Sequence, residues 1–398
     1  MGGLSKPRLE ALDGTLAGYV RRGELTGVVG LVSRGEDLHV YVGGNKSVGG
    51  EPVRRDSIFR ISSMTKPITA VATMLLVEEC KLRLDEPVDR LLPELAGRRV
   101  LSRLDAPLDD TVPAKRPITI RDLLTFRFGF GIPMVPSTYP IQSALDELKL
   151  GQGPPAPSVP PPPDEWMRRL GTLPLLYQPG ERWMYNTGSD ILGVAIARVS
   201  GQPLEAFLGE RIFGPLGMED TGFSVPAEKI ERLVTTYSVD QRTGERVVYD
   251  PAAGGQWSRP PAFPSGAGGL VSTVDDYFAF ARMLLYNGKF GDDRILSRPS
   301  VELMTRDHLT PDQKSVSGLV SGYFDNHGWG FGVSVVTRRD DYANVGSYGW
   351  DGGMGTYWAN DPREGLVGVL MTTQTWNSPS PPSVRNDFWT AAYQSGAD

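Results

Sequence analysis

The chain has 398 residues, of which 40% are hydrophobic, and this is enough to bury a large core and to form two lobes. Its formal net charge is −6 and its arginine pairs have acidic residues nearby, so nothing indicates a nucleic-acid surface. The single cysteine, Cys80, excludes an intrachain disulfide. Residues 1–18 lack the apolar stretch of a signal peptide and no run is long enough to span a membrane, so we expect a cytoplasmic protein without a membrane partner.

The N-terminal part of the chain predicts a helix followed by a hairpin. Residues 6–22 have the pattern of an amphipathic helix. Two apolar runs follow at 28–33 and 38–42, and the polar stretch 34–37 between them is typical of a β-hairpin turn. Residues 57–61 then predict a short extended segment that leads into the first motif with chemical potential.

That motif is Ser63-Met64-Thr65-Lys66, which puts a hydroxyl and an amine three residues apart. Ser62 or Ser63 can cap a helix that begins here, and Pro67 falls in its first turn, where a missing N–H costs little. Residues three apart share a helix face, so the Lys66 amine can reach the Ser63 hydroxyl and take its proton. Alone, the pattern is better explained by a capping serine and a solvated lysine, because helix caps far outnumber nucleophiles.

The residues that follow predict a helix buried nearly all round. Ile68, Val71, Ala72 and Leu75 recur at the helical period, and the other side is apolar too. A buried helix start directs its free N–H groups and its positive dipole end at Ser63. This environment favours a serine alkoxide and an oxyanion beside it.

The middle of the chain, residues 82–249, predicts helices and long loops, with the clearest helices at 120–125 and 190–199. Residues 151–164 contain seven prolines and predict a stiff, irregular loop. This loop is either a rim over a pocket or a surface excursion without a role.

The C-terminal part returns to strands. Residues 273–285 predict a helix with an acidic first turn, 330–337, 356–359 and 365–373 predict strands, and 385–394 predict a closing helix.

The order of these elements predicts an α+β fold. The simplest packing joins residues 1–81 and 250–398 in one antiparallel sheet covered by helices. Residues 82–249 then form an inserted, mainly helical lobe.

Serine chemistry commonly uses a histidine base, but the three histidines (His39, His308 and His327) are too scattered to predict a triad or a metal cluster. We therefore expect no cofactor. No Gly-x-Ser-x-Gly motif occurs, which argues against an α/β-hydrolase. Lys66 needs another helper, and a tyrosine whose pKa is lowered by nearby cations can shuttle a proton.

Two further segments are informative: residues 179–193, which include Tyr185-Asn186-Thr187, and residues 349–357, which include Trp350-Asp351-Gly352-Gly353. With Ser63-x-x-Lys66 they resemble the three motifs of the penicillin-recognising serine hydrolases. That superfamily includes class C β-lactamases, DD-peptidases and family VIII carboxylesterases. The motifs occur in the family order over nearly the whole chain, and shorter matches support them at 59–63, 123–125 and 268–273.

The resemblance implies a β-lactamase/transpeptidase-like fold and assigns roles to individual residues. Ser63 resembles the acylated nucleophile and Lys66 its base or proton relay. Tyr185 resembles the tyrosine that acts as base in acylation and as acid for the leaving group, although by itself it fits a buried aromatic with a satisfied hydroxyl. The backbone N–H groups of Ser63 and Gly353 form the implied oxyanion hole.

Two departures from the family pattern bear on the substrate. The lactamase motif is Tyr-x-Asn, whereas here the amide comes one position early. Trp350-Asp351-Gly352 also stands in the place of Lys-Thr-Gly on the strand that lines the pocket. The predicted substrate-binding residues are therefore Trp350, Asp351, Gly352, Asn186 and Thr187.

Trp350 carries no positive charge at the place where lactamases and DD-peptidases use a lysine to attract the substrate carboxylate. This favours neutral esters and resembles the family VIII pattern. The predicted function is a serine carboxylesterase that hydrolyses small acyl esters through a Ser63 acyl-enzyme, with Lys66 and Tyr185 as proton-transfer groups. The alternatives are an acyltransferase, a β-lactamase, a D-amino-acid peptidase or amide hydrolase, and a non-catalytic binding protein on this fold.

Overall fold

A computed structural model describes residues 3–151, 153–378 and 380–397. The helices are α1 (Lys6–Arg21), α2 (Thr65–Glu78), α3 (Ile120–Leu124), α4 (Pro140–Leu148), α5 (Pro163–Thr172), α6 (Thr187–Ser200), α7 (Leu204–Leu208), α8 (Gly214–Leu216), α9 (Val274–Leu285), α10 (Arg298–Met304), α11 (Pro311–Ser315) and α12 (Ser383–Gln394). The strands are β1 (Gly27–Arg34), β2 (Asp37–Gly44), β3 (Phe59–Arg60), β4 (Arg99–Leu101), β5 (Thr111–Pro113), β6 (Thr236–Val239), β7 (Arg246–Asp250), β8 (Val271–Ser272), β9 (Lys289–Phe290), β10 (Asp293–Arg294), β11 (His327–Trp329), β12 (Ser334–Val336), β13 (Tyr348–Gly352), β14 (Thr356–Asp361) and β15 (Leu366–Thr372).

A seven-stranded antiparallel sheet in the order β11-β12-β13-β14-β15-β1-β2 joins the two ends of the chain. Strand β1 lies between β2 and β15, with Val28 opposite Thr372 and Arg34 opposite Leu366. It is buried along its whole length, as expected for a strand covered on both faces. The predicted sheet, built from the first and last parts of the chain, is confirmed.

The two faces of this sheet pack against different helices. One face contacts α1 and α12 through a core that includes Leu16, Leu370 and Phe388. The opposite face belongs to the main core, which includes residues of α2 and α9. Because side chains alternate along a strand, neighbouring residues of β13 are directed toward different helix layers.

The predicted helices are present with small shifts at their ends, but the predicted strand at 330–337 is confirmed only at β12, Ser334–Val336. Residues 330–333 form the turn of the β11–β12 hairpin, and Gly332 in that turn has φ 72°. The Gly330 N–H donates to the Val333 carbonyl and closes this turn. A glycine at positive φ permits a reversal that an apolar pattern does not reveal.

Helices are the main regular structure within residues 82–249, which also carry the small hairpin β4–β5 and most of the hairpin β6–β7. Gly151 and residues 153–162 of the proline-rich stretch are irregular, and residue 152 lies outside the described residues. Helix α5 begins at Pro163, inside the predicted loop, since proline is tolerated at the first position of a helix. The division into lobes at 81 and 250 stays a prediction.

Among the residues described, no single helix has both the length and the apolar character needed to cross a membrane. Only α6 together with the segment Leu204–Leu216, a pair bent by 80°, passes by length and composition.

Candidate active site

Ser63 lies in a 3₁₀ turn, Ser62–Met64, between β3 and α2. Packed neighbours hold this turn: the Tyr277 hydroxyl donates to the Met64 carbonyl at 2.9 Å, and the Thr356 hydroxyl donates to the Ile61 carbonyl at 3.1 Å. Neither serine side chain caps the helix, so the predicted capping role is wrong. The 3₁₀ turn runs directly into α2 and leaves the Ser63 hydroxyl available to other partners.

Lys66 is one such partner, and its side chain is buried. Its Nζ lies 2.9 Å from Ser63 Oγ and donates a hydrogen bond to the Ala267 carbonyl at 2.7 Å. Burial lowers the pKa of Lys66 to about 7, while the negative charge of Asp190 acts in the opposite direction. A substantial fraction of the amine is therefore neutral near pH 7 and able to accept a proton.

Asp190, on α6, is a buried acid that the sequence analysis did not single out. Its Oδ1 accepts hydrogen bonds from Ser265 Oγ at 2.6 Å and from the Ala267 N–H at 3.1 Å. Burial raises the pKa of Asp190 to about 6, and the bond from Ser265 and the charge of Lys66 oppose that rise. Ala267 thus joins the two charged groups, since its N–H binds Asp190 and its carbonyl binds Lys66. The available signal was an acid in the first turn of a largely apolar helix, since acids are rarely fully buried unless they are paired.

Tyr185 lies between Lys66 and Trp350. The indole Nε1 of Trp350 donates a hydrogen bond to Tyr185 Oη at 2.7 Å, and Lys66 Nζ lies 4.4 Å from the centre of the phenol ring. Burial raises the pKa of Tyr185 well above its ordinary value, although hydrogen bonds with Ser63 and Trp350 reduce this effect. The expectation of a lowered tyrosine pKa is wrong, because desolvation outweighs these bonds. The phenol is therefore protonated at neutral pH.

An aromatic cluster surrounds Tyr185. Trp183 stacks on it with ring centres 5.5 Å apart, Phe126 meets it edge-on at 5.8 Å, and Trp329 contacts Trp350 at 4.7 Å. Apart from Trp183, which is two residues from Tyr185, these rings come from separate segments, so the sequence did not indicate that they meet. Together they shield much of the phenol from water, and this desolvation is the physical source of its raised pKa.

Adjacent residues of β13 have different surroundings. Trp350 is directed toward Tyr185, whereas the Asp351 carboxylate accepts a hydrogen bond from Arg385 Nε on α12 at 2.6 Å. The two side chains lie on opposite faces of the sheet because directions alternate along a strand. The Asp351 side chain is thus directed away from Trp350 and Tyr185, and its predicted role in substrate binding stays a prediction.

Gly352 and Gly353 differ in the space around them. A Cβ atom on Gly352 would overlap the Ile61 carbonyl oxygen, so the bare backbone allows β13 to approach the turn that holds Ser63. A Cβ on Gly353 would meet nothing within 4 Å, so this residue borders open space. The oxyanion-hole role of the Ser63 and Gly353 N–H groups stays a prediction.

Asn186 and Thr187 follow Tyr185 directly and are both buried. Asn186 has φ 89° and ψ −68°, values near those of a rare and strained γ-turn. This turn lets the chain pass from the Tyr185 segment into α6, whose first residue is Thr187. Strain of this kind occurs preferentially at functional sites. The predicted contacts of these two residues with substrate stay predictions.

Within the ranges that the structure describes, no group of three or more His, Cys, Asp or Glu side chains is placed to hold a metal ion. The groups that meet at this site are a serine hydroxyl, a lysine whose pKa is lowered by burial and a protonated tyrosine.

Comparison with known proteins gives a consistent result. Residues 12–389 match the model of the Beta-lactamase family. Protein Rv1367c of Mycobacterium tuberculosis is 41% identical over 353 residues, which cover 87% of this chain and 85% of that protein. Esterase EstB of Burkholderia gladioli is 32% identical over 391 residues, 93% of this chain and 92% of the esterase. The solved structure of EstCE1, described as a hydrolase with promiscuous acyltransferase activity, has a TM-score of 0.78 at 25% identity and covers 97% of this chain and 98% of its own.

Proposed function

Because this chain belongs to the beta-lactamase family and is a serine hydrolase of that fold, we propose that it is a carboxylesterase acting on small acyl esters. One observation carries the proposal: Ser63, Lys66 and Tyr185 meet beside a tryptophan instead of a cation. The similarity to esterase EstB over 93% of the chain supports an ester substrate.

Acylation begins with Lys66. Its neutral amine takes the proton of Ser63 Oγ, which lies 2.9 Å away, as the oxygen attacks the ester carbonyl carbon. A bond forms between Oγ and that carbon, and the carbonyl oxygen becomes an oxyanion. The N–H groups of Ser63 and Gly353 are the proposed donors to this oxyanion, supported by the close approach of β13 to the Ser63 turn.

Tyr185 completes acylation as the acid. Its raised pKa keeps a proton on the phenol, which passes to the alcohol oxygen as the carbon–oxygen bond breaks. Lys66, now protonated and next to the phenol ring, returns a proton to the phenolate. Water then attacks the acyl carbon and gives a proton to Lys66. The bond between the acyl carbon and Ser63 Oγ breaks, Lys66 returns the proton to Oγ, and a carboxylic acid is released.

A second candidate function is acyl transfer, in which an alcohol replaces water in the last step. It is favoured by the similarity to EstCE1, whose description includes promiscuous acyltransferase activity. A β-lactamase or peptidase is less well supported, because Trp350 offers no charge to a substrate carboxylate. A non-catalytic binding protein would have no need for the contacts among Ser63, Lys66 and Tyr185.

The test is hydrolysis of p-nitrophenyl acetate, butyrate and octanoate, with nitrocefin in parallel, by wild type and Ser63→Ala. We expect turnover of the short esters that depends on Ser63, with little nitrocefin cleavage. Nitrocefin turnover comparable to that of the esters would place the lactamase function first. Ester hydrolysis that survives in Ser63→Ala would overturn the mechanism.

A further inference from the structure

A cavity of about 110 Å³ lies beside Tyr185. Its wall is formed by separate segments and is mainly apolar, including Ile132, Met134, Trp183 and Leu319. A cavity of about 150 Å³ holds a benzene molecule, so this one accommodates a group of about four or five carbon atoms. Tyr185 belongs both to this wall and to the proposed active site, which makes it the point where the two meet.

Arg182 contributes the positive charge of this cavity. Its guanidinium stacks over the Tyr177 ring at 4.0 Å, and both residues line the wall. Across the part of the chain that the structure describes, Arg182 forms no ion pair, and its Nε is buried without a hydrogen-bond partner. The Nε1 atom of Trp183, which also lines the wall, is likewise buried and has no hydrogen-bond partner among the described residues. These two nitrogens have almost no accessible surface, so a ligand anion would meet the guanidinium through the part of Arg182 that lines the cavity.

We propose that this cavity holds the alcohol half of the ester and that Arg182 pairs with a carboxylate at the outer end of that half. The proposal rests on the proposed function, in which Tyr185 protonates the departing alcohol oxygen. A group bonded to that oxygen must begin next to Tyr185, and the cavity begins there too. The preferred substrates are then acyl esters of short ω-hydroxy acids, whose methylene chain fits the apolar wall and whose carboxylate meets the arginine.

This assignment differs from the lactamase pattern in where the charge lies. There, a lysine on the strand attracts the carboxylate, at the place that Trp350 occupies in this chain. Here the charge comes from the segment before Tyr185, across the aromatic cluster from β13. An enzyme with a neutral strand position can therefore still select an anionic substrate.

Three small esters test the proposal. The acetyl ester of δ-hydroxyvalerate carries a carboxylate on its alcohol half, pentyl acetate is its neutral counterpart, and monomethyl glutarate carries the carboxylate on its acyl half. For each, kcat/KM is measured with wild type, Arg182→Gln, Arg182→Lys and the control Arg363→Gln, an exposed arginine outside the cavity.

The readout is the ratio of kcat/KM for the hydroxyvalerate ester to that for pentyl acetate. We expect Arg182→Gln to lower this ratio by roughly tenfold or more, because a charged hydrogen bond is lost. Arg182→Lys should retain part of it, since a lysine keeps the charge without the planar fork. Arg363→Gln should leave the ratio unchanged.

A cavity-filling variant gives an independent measurement. Leu319 is half-buried in the wall, so Leu319→Trp should lower kcat/KM for pentyl acetate relative to methyl acetate. The proposal would be overturned if Arg182→Gln left the hydroxyvalerate-to-pentyl ratio unchanged and Leu319→Trp also left the pentyl-to-methyl ratio unchanged. It would also be overturned if Arg182→Gln affected only the hydrolysis of monomethyl glutarate. Ser63→Ala distinguishes a failure of this proposal from a failure of the proposed function, because ester hydrolysis that does not need Ser63 would contradict the proposed function itself.

Discussion

The indole N–H of Trp350 donates a hydrogen bond to the phenol oxygen of Tyr185 over 2.7 Å. The oxygen accepts this bond through a lone pair, which leaves its own proton free for another acceptor. The Ser63 side chain is also a hydrogen-bonding neighbour of the phenol. A tryptophan in the place of the family lysine thus supplies a directional donor instead of a charge.

Loss of this bond should slow ester hydrolysis. Trp350→Phe keeps an aromatic ring and removes the N–H, so we expect kcat/KM for p-nitrophenyl butyrate to fall by roughly fivefold, the equivalent of about 1 kcal/mol. Trp389→Phe is the matched control, because Trp389 packs beside the other face of the sheet. Equal kcat/KM values for Trp350→Phe and wild type would show that the Trp350–Tyr185 hydrogen bond does not contribute to catalysis.

The pH dependence of kcat/KM should report the lysine. The proposed base is the neutral amine of Lys66, whose pKa is lowered to about 7, so activity should rise as pH increases through about 7. Tyr185 must stay protonated, and its raised pKa should prevent a loss on the alkaline side up to about pH 9. Initial rates between about pH 5 and about pH 9 check this. A profile that falls across neutral pH would exclude a neutral lysine base.

Removing the charge of Asp190 should move that profile. The carboxylate raises the pKa of Lys66, so Asp190→Asn should lower it further and shift the rise in activity to lower pH. The amide oxygen can still accept from Ser265 and Ala267. Asp276→Asn, which alters a buried acid on α9, is the control and should leave the midpoint in place. A midpoint that stays put in Asp190→Asn would contradict the charge coupling.

Gly352 and Gly353 provide a paired test of the packing around Ser63. Gly352→Ala places a methyl group against the Ile61 carbonyl, so we expect a loss of about 1–3 kcal/mol in the free energy of unfolding. Gly353→Ala meets open space and should unfold at the wild-type temperature. Thermal denaturation followed by circular dichroism distinguishes them, and equal melting temperatures would count against close packing at β13.

A buried ion pair holds the strand that leads to Ser63. Arg60 Nε donates to Asp250 Oδ2 at 2.9 Å, and both side chains are almost fully buried. Asp250→Ala would leave a buried, unpaired guanidinium, so we expect a loss of about 3–5 kcal/mol in the free energy of unfolding. Asp275→Ala breaks the exposed pair with Arg55 and should cost about 0–1 kcal/mol. Urea denaturation measures both, and similar losses would contradict this account.

Local contacts and periodic elements could be predicted from the sequence. Residues three apart on one turn are neighbours in any helix, and Ser63 and Lys66 are within hydrogen-bond distance. The apolar runs at the two ends of the chain likewise predicted one shared sheet, and the helical apolar period predicted the buried helix α2. The family pattern then indicated that Tyr185 and Trp350 belong with them, and their hydrogen bond is consistent with it.

Only the tertiary structure decided the electrostatics and the partners of distant residues. Asp190 binds Ser265 and Ala267, which are more than 70 residues away in the chain. Arg182 lines the cavity beside Tyr185, and no periodic pattern in the sequence predicts either arrangement. The direction of the Tyr185 pKa was predicted wrongly, because it depends on how many rings exclude water from the phenol. Desolvation and contact between separate segments are properties of the packed chain, and no pattern along a single segment encodes them.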